Sequence, residues 1–278
     1  MFVVPGFAFL VAVAVPALGA ESGLAASPGH ARSLGLAGCD ANVPIIHLMQ
    51  RAFTKGRPDV TFHVRSLGST AGIALTAAGT IDVGLVSREV REAERALGLA
   101  FRAYARTPIV FAADPAVPEN DLTIDDLRQI YLGTKTRWAN GREIVLVTRE
   151  EGNGSIDSMR KALPGFARAY AKGAKTHHWT VTYSELAMHE ALLTFPFALG
   201  LSDLGTIAIE RLPVKALSVG GAAPALQTLA SGRYPLVKTL GFVWREDRVS
   251  PLARAFMQFV LSDAGAAILA AHGYLPAR

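Results

Sequence analysis

The sequence predicts an α/β fold built on mostly parallel β-sheets whose two faces are both covered by helices. Strand-like and helix-like segments alternate along the chain after its N-terminal segment, which is the order that parallel strands with crossover helices require. Half of the 278 residues are hydrophobic and 18% are charged, so the chain has ample material for a core. This length suits one large domain or two lobes of ordinary size.

The elements of the first half are predicted from apolar periodicity and capping residues. In chain order they are the strand SLGLAG, the helix VPIIHLMQRAFTKG, the strand DVTFHVRSL, the helix STAGIALTAAG, and the strands IDVGLVS and AYARTPIVFAAD. DVTFHVRSL alternates with period two, as a half-buried strand does. The first helix ends at Gly56, and the second begins at Ser69 or Thr70 and ends at Gly79.

The second half continues the alternation. Its predicted elements are the helix TIDDLRQIYLG, the strand EIVLVTRE, the helix SIDSMRKALPGFARAY, the strands or strand-loops PFALGLSDLG and VKALSV, and one or two helices in SPLARAFMQFVLSDAGAAILAAHG. Thr123 is an N-cap residue for the first of these helices. Pro164 interrupts the second, because proline lacks the N–H that a helix interior needs. Gly273 is a typical C-terminal cap.

The N-terminal segment is predicted to be a secretory signal peptide over residues 1–20. Residues 2–20 carry no charge, and Pro5 and Pro16 break the apolar run, which is therefore short for a membrane span. The sequence thus indicates a periplasmic or otherwise exported protein. The usual positive n-region is missing, so an uncleaved anchor is the alternative. The single cysteine excludes an internal disulfide.

That cysteine ends the tetrapeptide LAGC, residues 36–39, which matches a lipobox, the signal for lipid attachment to a cysteine. A lipobox must end an apolar run, whereas Pro28, His30 and Arg32 precede this one. We therefore favour the other interpretation, in which LAGC is a strand end followed by a polar loop.

Several function classes lack support. The net charge is +5, but the basic residues are scattered and do not alternate with aromatic residues, so no nucleic-acid partner is predicted. There is no GxGxxG, GxxxxGK[ST], HExxH, GxSxG or cysteine pair, so we expect no cofactor, no metal site at His177, His178 or His189, and no enzyme activity.

Four strand-to-helix turns carry the residues best suited to a binding site. They are Gly38–Ala41, Gly68–Gly72, Val86–Glu89 and Arg149–Ser155. Ligands of open α/β sheets bind beyond the C-terminal ends of the strands, where free N–H groups of helix N-termini favour negative charge. Glycine lets the backbone approach a ligand, and Arg88 and Arg149 can donate forked hydrogen bonds to an oxyanion. One such turn is ordinary helix capping, but four together indicate an anion site.

The same turns resemble the motifs of the phosphate-binding protein family of ABC importers, within the type II periplasmic binding proteins. The resemblance runs from about residue 34 to the C-terminus. The matching segments are GCDANVP, GSTAGI, DVGLVSR, DLTIDDLRQIYLGTKTRW, REEGNGS, ASGRYPL and FVLSDAGAAILAAHGYLP.

The resemblance implies two α/β lobes joined by a hinge of two crossover strands, with the ligand in the cleft between them. Lobe one would be residues 30–107 plus 239–278, and lobe two residues 108–238. The protein would be a monomer that captures phosphate or a related oxyanion and delivers it to an ABC permease. Its ligand-binding residues would be Cys39, Asp40, Ser69, Thr70, Ser87, Arg88, Arg149, Asn153, Gly154 and Ser155.

This chain departs from the family pattern at the first and fourth turns. Cys39 and Ala41 stand where the family has hydroxyl residues, and a thiol is a weak donor. Asn153 replaces a serine, and Ile156 stands where many members have arginine. A larger phosphoester or phosphonate is therefore an alternative ligand. A sensory or regulatory binding protein, read by a membrane sensor, is the alternative function.

Asp40 needs its own explanation, because a carboxylate repels an oxyanion that has no proton to donate. Phosphate at neutral pH carries one proton and sulfate carries none. One hypothesis is that Asp40 accepts the phosphate hydroxyl and excludes sulfate. The alternative is that Asp40 is only the N-cap residue of the following helix.

Overall fold

The computed structural model describes residues 32–277. The predicted signal peptide, residues 1–20, lies outside the described residues, as does the start of the expected first lobe. The strands within the described range are β1 (Arg32–Gly38), β2 (Val60–Ser66), β3 (Val83–Val86), β4 (Ala100–Ala113), β5 (Asp121–Leu122), β6 (Val145–Arg149), β7 (Thr180–Thr182), β8 (Ala198–Asp203), β9 (Lys215–Val219), β10 (Val237–Trp244) and β11 (Leu275–Pro276).

Helices separate most of these strands. They are α1 (Val43–Thr54), α2 (Ser69–Ala77), α3 (Glu92–Arg95), α4 (Ile124–Leu132), α5 (Gly154–Ala162), α6 (Phe166–Gly173), α7 (Glu185–Thr194), α8 (Leu204–Glu210), α9 (Leu226–Ala230), α10 (Pro251–Leu261) and α11 (Asp263–Ala271). A short 3-10 turn, Asp40–Asn42, precedes α1. The alternation predicted from the sequence is therefore present, and the mixed α/β class is confirmed.

The main strands lie in the order β2-β1-β3-β10-β4-β8-β6-β7. At one end β1 pairs in parallel with β2 and β3, and at the other β6 pairs in parallel with β7 and β8. The long strand β4 joins the two parallel groups. Its first part pairs with β10, up to Pro108 opposite Val237, and from Ile109 onward it pairs with β8 and β9. Strands β4 and β10 are thus the two crossover strands.

Two large hydrophobic cores lie on either side of this junction, and a small third cluster of Ile73, Val86 and Val243 completes those found among residues 32–277. One core draws its residues from 34–105 and 240–274, and the other from 109–236. Each parallel group of strands therefore has its own core, as a two-lobe fold requires, and Ile209 of α8 packs against the core of the first group. We keep residues 30–107 plus 239–278 and residues 108–238 as our proposal for the lobe boundaries, because this division leaves each core within one lobe.

Several local predictions agree with the structure. Thr123 caps α4 by accepting a hydrogen bond from the Asp126 N–H at 3.0 Å, and the helix containing Pro164 is split into α5 and α6. The C-terminal segment forms two helices. The sequence analysis missed α3, α7, α8 and α9 and the short strands β5, β7 and β11. It also did not assign VKTLGFVW as a strand, although that segment forms β10.

No single helix within residues 32–277 is long and apolar enough to cross a membrane. In this part of the chain one bent pair, α10 and α11 with an angle of 58° between them, is long and apolar enough when its two helices are taken together.

Candidate ligand-binding site

A cavity of about 430 Å³ lies where the C-terminal ends of β1, β3 and β6 meet the N-terminal ends of α2 and α5. Nine of the ten residues predicted from the sequence line this cavity: Cys39, Asp40, Ser69, Thr70, Ser87, Arg88, Arg149, Asn153 and Gly154. The tenth, Ser155, is buried beside the cavity and does not line it. The four polar turns therefore converge in space.

Gly38 fixes the first turn against the neighbouring strand. Its φ angle is +153°, and a Cβ atom here would lie 1.9 Å from the carbonyl oxygen of Leu85, so no other residue fits. The next N–H, that of Cys39, donates to the same oxygen at 2.9 Å. The carbonyl oxygen of Gly38 accepts from the N–H of Leu67 and of Gly68. The backbone of this one glycine thus holds the first two turns and β3 together.

Cys39 is buried at the cavity wall. Its Sγ accepts a hydrogen bond from Ser87 Oγ at 2.9 Å and donates to Asp40 Oδ1 at 3.4 Å. Burial, reinforced by the Asp40 carboxylate, raises the pKa of Cys39 to about 12. The side chain therefore remains a thiol at neutral pH and serves as a hydrogen-bonding group, since only a thiolate is a good nucleophile. LAGC is a strand end and loop, as the sequence analysis favoured.

Asp40 reaches across the cleft. Its Oδ1 accepts from the N–H of Ala41 at 3.1 Å, and its Oδ2 accepts from the N–H of Glu185 at 2.6 Å. Glu185 is the first residue of α7, on the other side of the junction. Cys39, rather than Asp40, is the N-cap residue of the 3-10 turn. Asp40 is therefore not the N-cap residue of the helix that follows it. Its Oδ2 instead accepts a hydrogen bond from the N-terminus of α7, which packs with the second group of parallel strands.

The second turn leads directly into α2. Gly72 lies so close to β1 that an added Cβ atom would be 2.7 Å from the carbonyl oxygen of Ala37. Ser69 Oγ accepts from the N–H of Ser87 at 3.2 Å, which ties the second turn to the third. The first N–H groups of a helix have no carbonyl partner in that helix. The N-terminus of α2, where Ser69 and Thr70 line the cavity, therefore presents donors suited to an anion.

Arg88 holds a carboxylate of the protein itself. Its Nη1 and Nη2 donate to the two oxygens of Glu94 at 2.7 and 2.6 Å, and Nη2 also donates to Thr70 Oγ1 at 3.1 Å. Hydrogen bonding to Arg88 lowers the pKa of Glu94, so the pair stays ionised at neutral pH. The sequence analysis expected Arg88 to bind the ligand, but Glu94 balances much of its positive charge.

Arg149 is the more deeply buried of the two arginines in its side chain, and three carboxylates surround it. It lies at the end of β6 and is 3% exposed. Its Nε donates to Glu150 Oε2 at 3.0 Å, whereas Nη1, although 3.1 Å from Glu185 Oε1, has no partner with hydrogen-bonding geometry within the described residues. Burial alone would lower the pKa of Arg149, but Glu185, Glu150 and Asp40 together raise it. Arg149 thus places a charged guanidinium at the cavity, and its Nη1 forms an ion pair with Glu185 that lacks hydrogen-bonding geometry.

The fourth turn brings the two sides of the cleft into contact. Asn153 caps α5, since its Oδ1 accepts from the N–H of Ser155 at 2.9 Å. A Cβ atom on Gly154 would lie 3.3 Å from the carbonyl oxygen of Ser87 and 3.3 Å from Arg88 Cβ. Glycine at 154 therefore permits the close approach of the third and fourth turns.

The residues that the sequence analysis missed include Tyr183, Ser184, Glu185 and Lys238, which lie in or directly behind the site. Tyr183 and Ser184 line the cavity, and Glu185 and Lys238 lie behind it as buried charged partners of Arg149 and of each other. Ser184 carries the signal of an N-cap residue before an apolar segment, and Lys238 is a charged residue in the apolar run VKTLGFVW. Either signal would have directed attention to these positions.

The described residues contain no group of three or more His, Cys, Asp or Glu side chains that could hold a metal ion. The donors at the cavity include guanidinium, hydroxyl and backbone N–H groups, which bind anions, and the carboxylates of Asp40, Glu150 and Glu151 line the same cavity.

A two-lobe α/β fold with a polar cleft at the junction defines a class of ligand-binding proteins, and comparison with known families agrees with this assignment. The family model described as a PBP superfamily domain matches residues 25–264, and the chain belongs to this family. The predicted membership of the binding-protein superfamily and the predicted two-lobe fold are thereby confirmed.

The sequence identity to individual relatives is low. The chain is 24% identical over 251 residues to the phosphate-binding protein PstS of Bacillus subtilis, covering 88% of this chain and 80% of that protein. A phosphate ABC transporter substrate-binding protein from Clostridium perfringens, solved with bound phosphate, has a TM-score of 0.80 at 23% identity over 89% of this chain and all of that one. The Synechocystis CcmR regulatory domain in complex with 2-PG has a TM-score of 0.57 at 15% identity, over 82% and 95%.

Proposed function

We propose that this protein is an exported solute-binding protein that captures phosphate or a related oxyanion in its interlobe cleft for an ABC importer. It acts as a monomer, without bond-making chemistry, and its closed form is recognised by a membrane permease. The names of the relatives support phosphate as the ligand, and their class supports export and transport.

The observation that carries this proposal is the convergence of the four polar turns on one cavity, whose wall includes Arg88 and Arg149. Guanidinium groups donate charge-assisted hydrogen bonds to oxyanions. The N-termini of α2 and α5 line the same cavity and favour negative charge. An oxyanion in the cavity would satisfy the guanidinium and the free N–H groups together.

The volume of the cavity bears on the size of the ligand. About 430 Å³ is at the lower end of the range for small-molecule sites, and it exceeds what a single tetrahedral anion fills. A phosphoester or phosphonate therefore remains the alternative ligand within the same proposal.

Isothermal titration of the purified protein with phosphate, sulfate, arsenate and a simple phosphonate tests the proposal. We expect phosphate to bind with a Kd of about 1 μM or below, equivalent to about 8 kcal/mol, and sulfate not to bind. Tighter binding of the phosphonate than of phosphate would identify the larger ligand. Failure of all four anions to bind would overturn the proposal, and turnover of phosphoesters would revive an enzymatic function.

A sensory or regulatory binding protein is the second candidate. The altered first turn favours it, because Cys39 and Ala41 supply fewer donors than a hydroxyl pair. The structural likeness to the Synechocystis CcmR regulatory domain, at 15% identity, supports this candidate only through the shared fold. Phosphate uptake by cells that express the protein with its genomic neighbours separates the candidates. Uptake that depends on a neighbouring permease supports transport, whereas an unchanged uptake rate with altered gene expression supports sensing.

We expect the thiol of Cys39 to make phosphate binding somewhat weaker than a hydroxyl at this position would. Replacing Cys39 with serine should tighten phosphate binding about fivefold, or about 1 kcal/mol, because a hydroxyl donates a stronger hydrogen bond and can still accept from Ser87. Cys39→Ala is the matched control, since it removes the group altogether and should weaken binding. Titration calorimetry decides the point, and a serine variant no tighter than the wild type would show that Cys39 does not contact the anion.

A further inference from the structure

Behind the cavity lies a group of buried charges that includes the anion-facing arginine. We call Lys238, Glu185, Asp203 and Arg149 the hinge-side charge cluster. Lys238 Nζ lies 3.2 Å from Glu185 Oε1 and 3.0 Å from Asp203 Oδ2, and the same Glu185 Oε1 lies 3.1 Å from Arg149 Nη1. A single carboxylate oxygen is thus shared between two cations.

The cluster connects the hinge to the cavity wall. Lys238 lies on the crossover strand β10, paired with Thr107 of the other crossover strand β4. Glu185 begins α7, and its N–H holds the Asp40 carboxylate from the opposite side of the cleft. Arg149 lines the cavity itself.

All four members are nearly inaccessible to water, so their charges act on one another with little screening. Lys238 and Arg149 are each 3% exposed, and Glu185 is 9% exposed. Burial alone would raise the pKa of Glu185, but Lys238 and Arg149 hold it below its usual value. Burial alone would lower the pKa of Lys238, but Glu185 and Asp203 raise it. Both side chains are therefore ionised at neutral pH.

We propose that Glu185 and Lys238 are positioning residues that set how much of the positive charge of Arg149 is available to a bound anion. Glu185 competes with the bound anion for the guanidinium of Arg149. Lys238 forms an ion pair with the same oxygen of Glu185, and this pairing weakens the attraction between Glu185 and Arg149. This inference rests on the proposed anion-binding function, because it concerns the affinity of that same site.

The proposal predicts opposite effects for two variants of one ion pair. Glu185→Gln removes the competing charge, so Arg149 should bind the anion more tightly. Lys238→Met leaves the full charge of Glu185 to Arg149, so the anion should bind more weakly. A purely structural role of the pair predicts instead that both variants weaken binding, since removal of either partner damages a buried pair.

The experiment is calorimetric titration of inorganic phosphate into the wild-type protein, Glu185→Gln, Lys238→Met and the double variant, at one pH and ionic strength. We expect Glu185→Gln to tighten binding about tenfold and Lys238→Met to weaken it about tenfold, shifts in the range of close charge pairs. The double variant should return to within about threefold of the wild type. Lys135→Met, which breaks the more exposed pair with Asp126 on α4, is the matched control and should leave the Kd unchanged.

Each outcome decides a specific point. Wild-type binding with shifts of the same sign, or with no shift, would overturn the assigned role and leave the proposed function intact. Absence of anion binding by the wild type would overturn both. If Lys238→Met fails to fold, Glu185→Gln still tests the proposal, because a damaged site would not bind the anion more tightly. The conservative variant Lys238→Arg should then have a Kd near that of the wild type.

Discussion

Replacing Arg149 with methionine should weaken phosphate binding by at least about a hundredfold, or about 3 kcal/mol, in titration calorimetry. Two effects add. The variant loses charge-assisted hydrogen bonds to the anion, which are about twice as strong as neutral ones. It also leaves Glu185, Glu150 and Asp40, which lie within 4 Å of the guanidinium, without that cation, and they would repel the ligand.

The appropriate controls separate charge from position. Arg128→Met removes an arginine from the surface of α4 and should leave the Kd unchanged. Arg88→Met should weaken binding less than Arg149→Met, because it leaves one carboxylate, Glu94, without its cation, whereas Arg149→Met leaves three. The reverse order, with Arg88 essential and Arg149 dispensable, would show that the anion lies against the third turn instead.

Replacing Asp40 with asparagine should create sulfate binding where the wild type has none, with a sulfate Kd within about tenfold of that for phosphate. We expect the carboxylate to accept a hydrogen bond from the P–OH group that hydrogen phosphate carries and sulfate lacks, and an uncompensated contact between two anions is strongly unfavourable. An asparagine amide can instead donate to either anion, while its oxygen still accepts the Glu185 N–H that Asp40 Oδ2 binds at 2.6 Å.

This second prediction is measured by titrating both anions into Asp40→Asn and into Asp125→Asn, which neutralises an exposed carboxylate on α4. The control should reject sulfate as the wild type does. Continued rejection of sulfate by Asp40→Asn would eliminate the selectivity role, and the interlobe hydrogen bond would then be the function of Asp40.

The turns of the cavity could be found from the sequence because their signals are local. A glycine and hydroxyl donors between a strand and a helix have the same meaning whatever surrounds them, and nine of the ten predicted residues line one cavity. The motif resemblance supplied the two-lobe arrangement, which periodicity alone did not predict.

The unpredicted part of the site consists of contacts between residues distant in sequence. Glu185 and Lys238 are 53 positions apart, and nothing in either segment indicates that they share an ion pair with Arg149. The ion pair between Arg88 and Glu94 was also missed. It depends on the position of α3, which carries Glu94, relative to the third turn, which carries Arg88. Sequence patterns identify which side chains can bind an anion, whereas tertiary structure determines which are free to do so.

The two close approaches at Gly38 and Gly72 have a consequence for the entropy of binding. Backbone contacts fix the first three turns against one another, through the Leu85 carbonyl oxygen and the surface of β1. Ordering a loop residue costs about 1–2 kcal/mol in conformational entropy, and these turns are ordered when the protein folds. A ligand that enters therefore meets preorganised donors on this side of the cleft, and the entropy lost on binding is confined largely to closure of the opposite side.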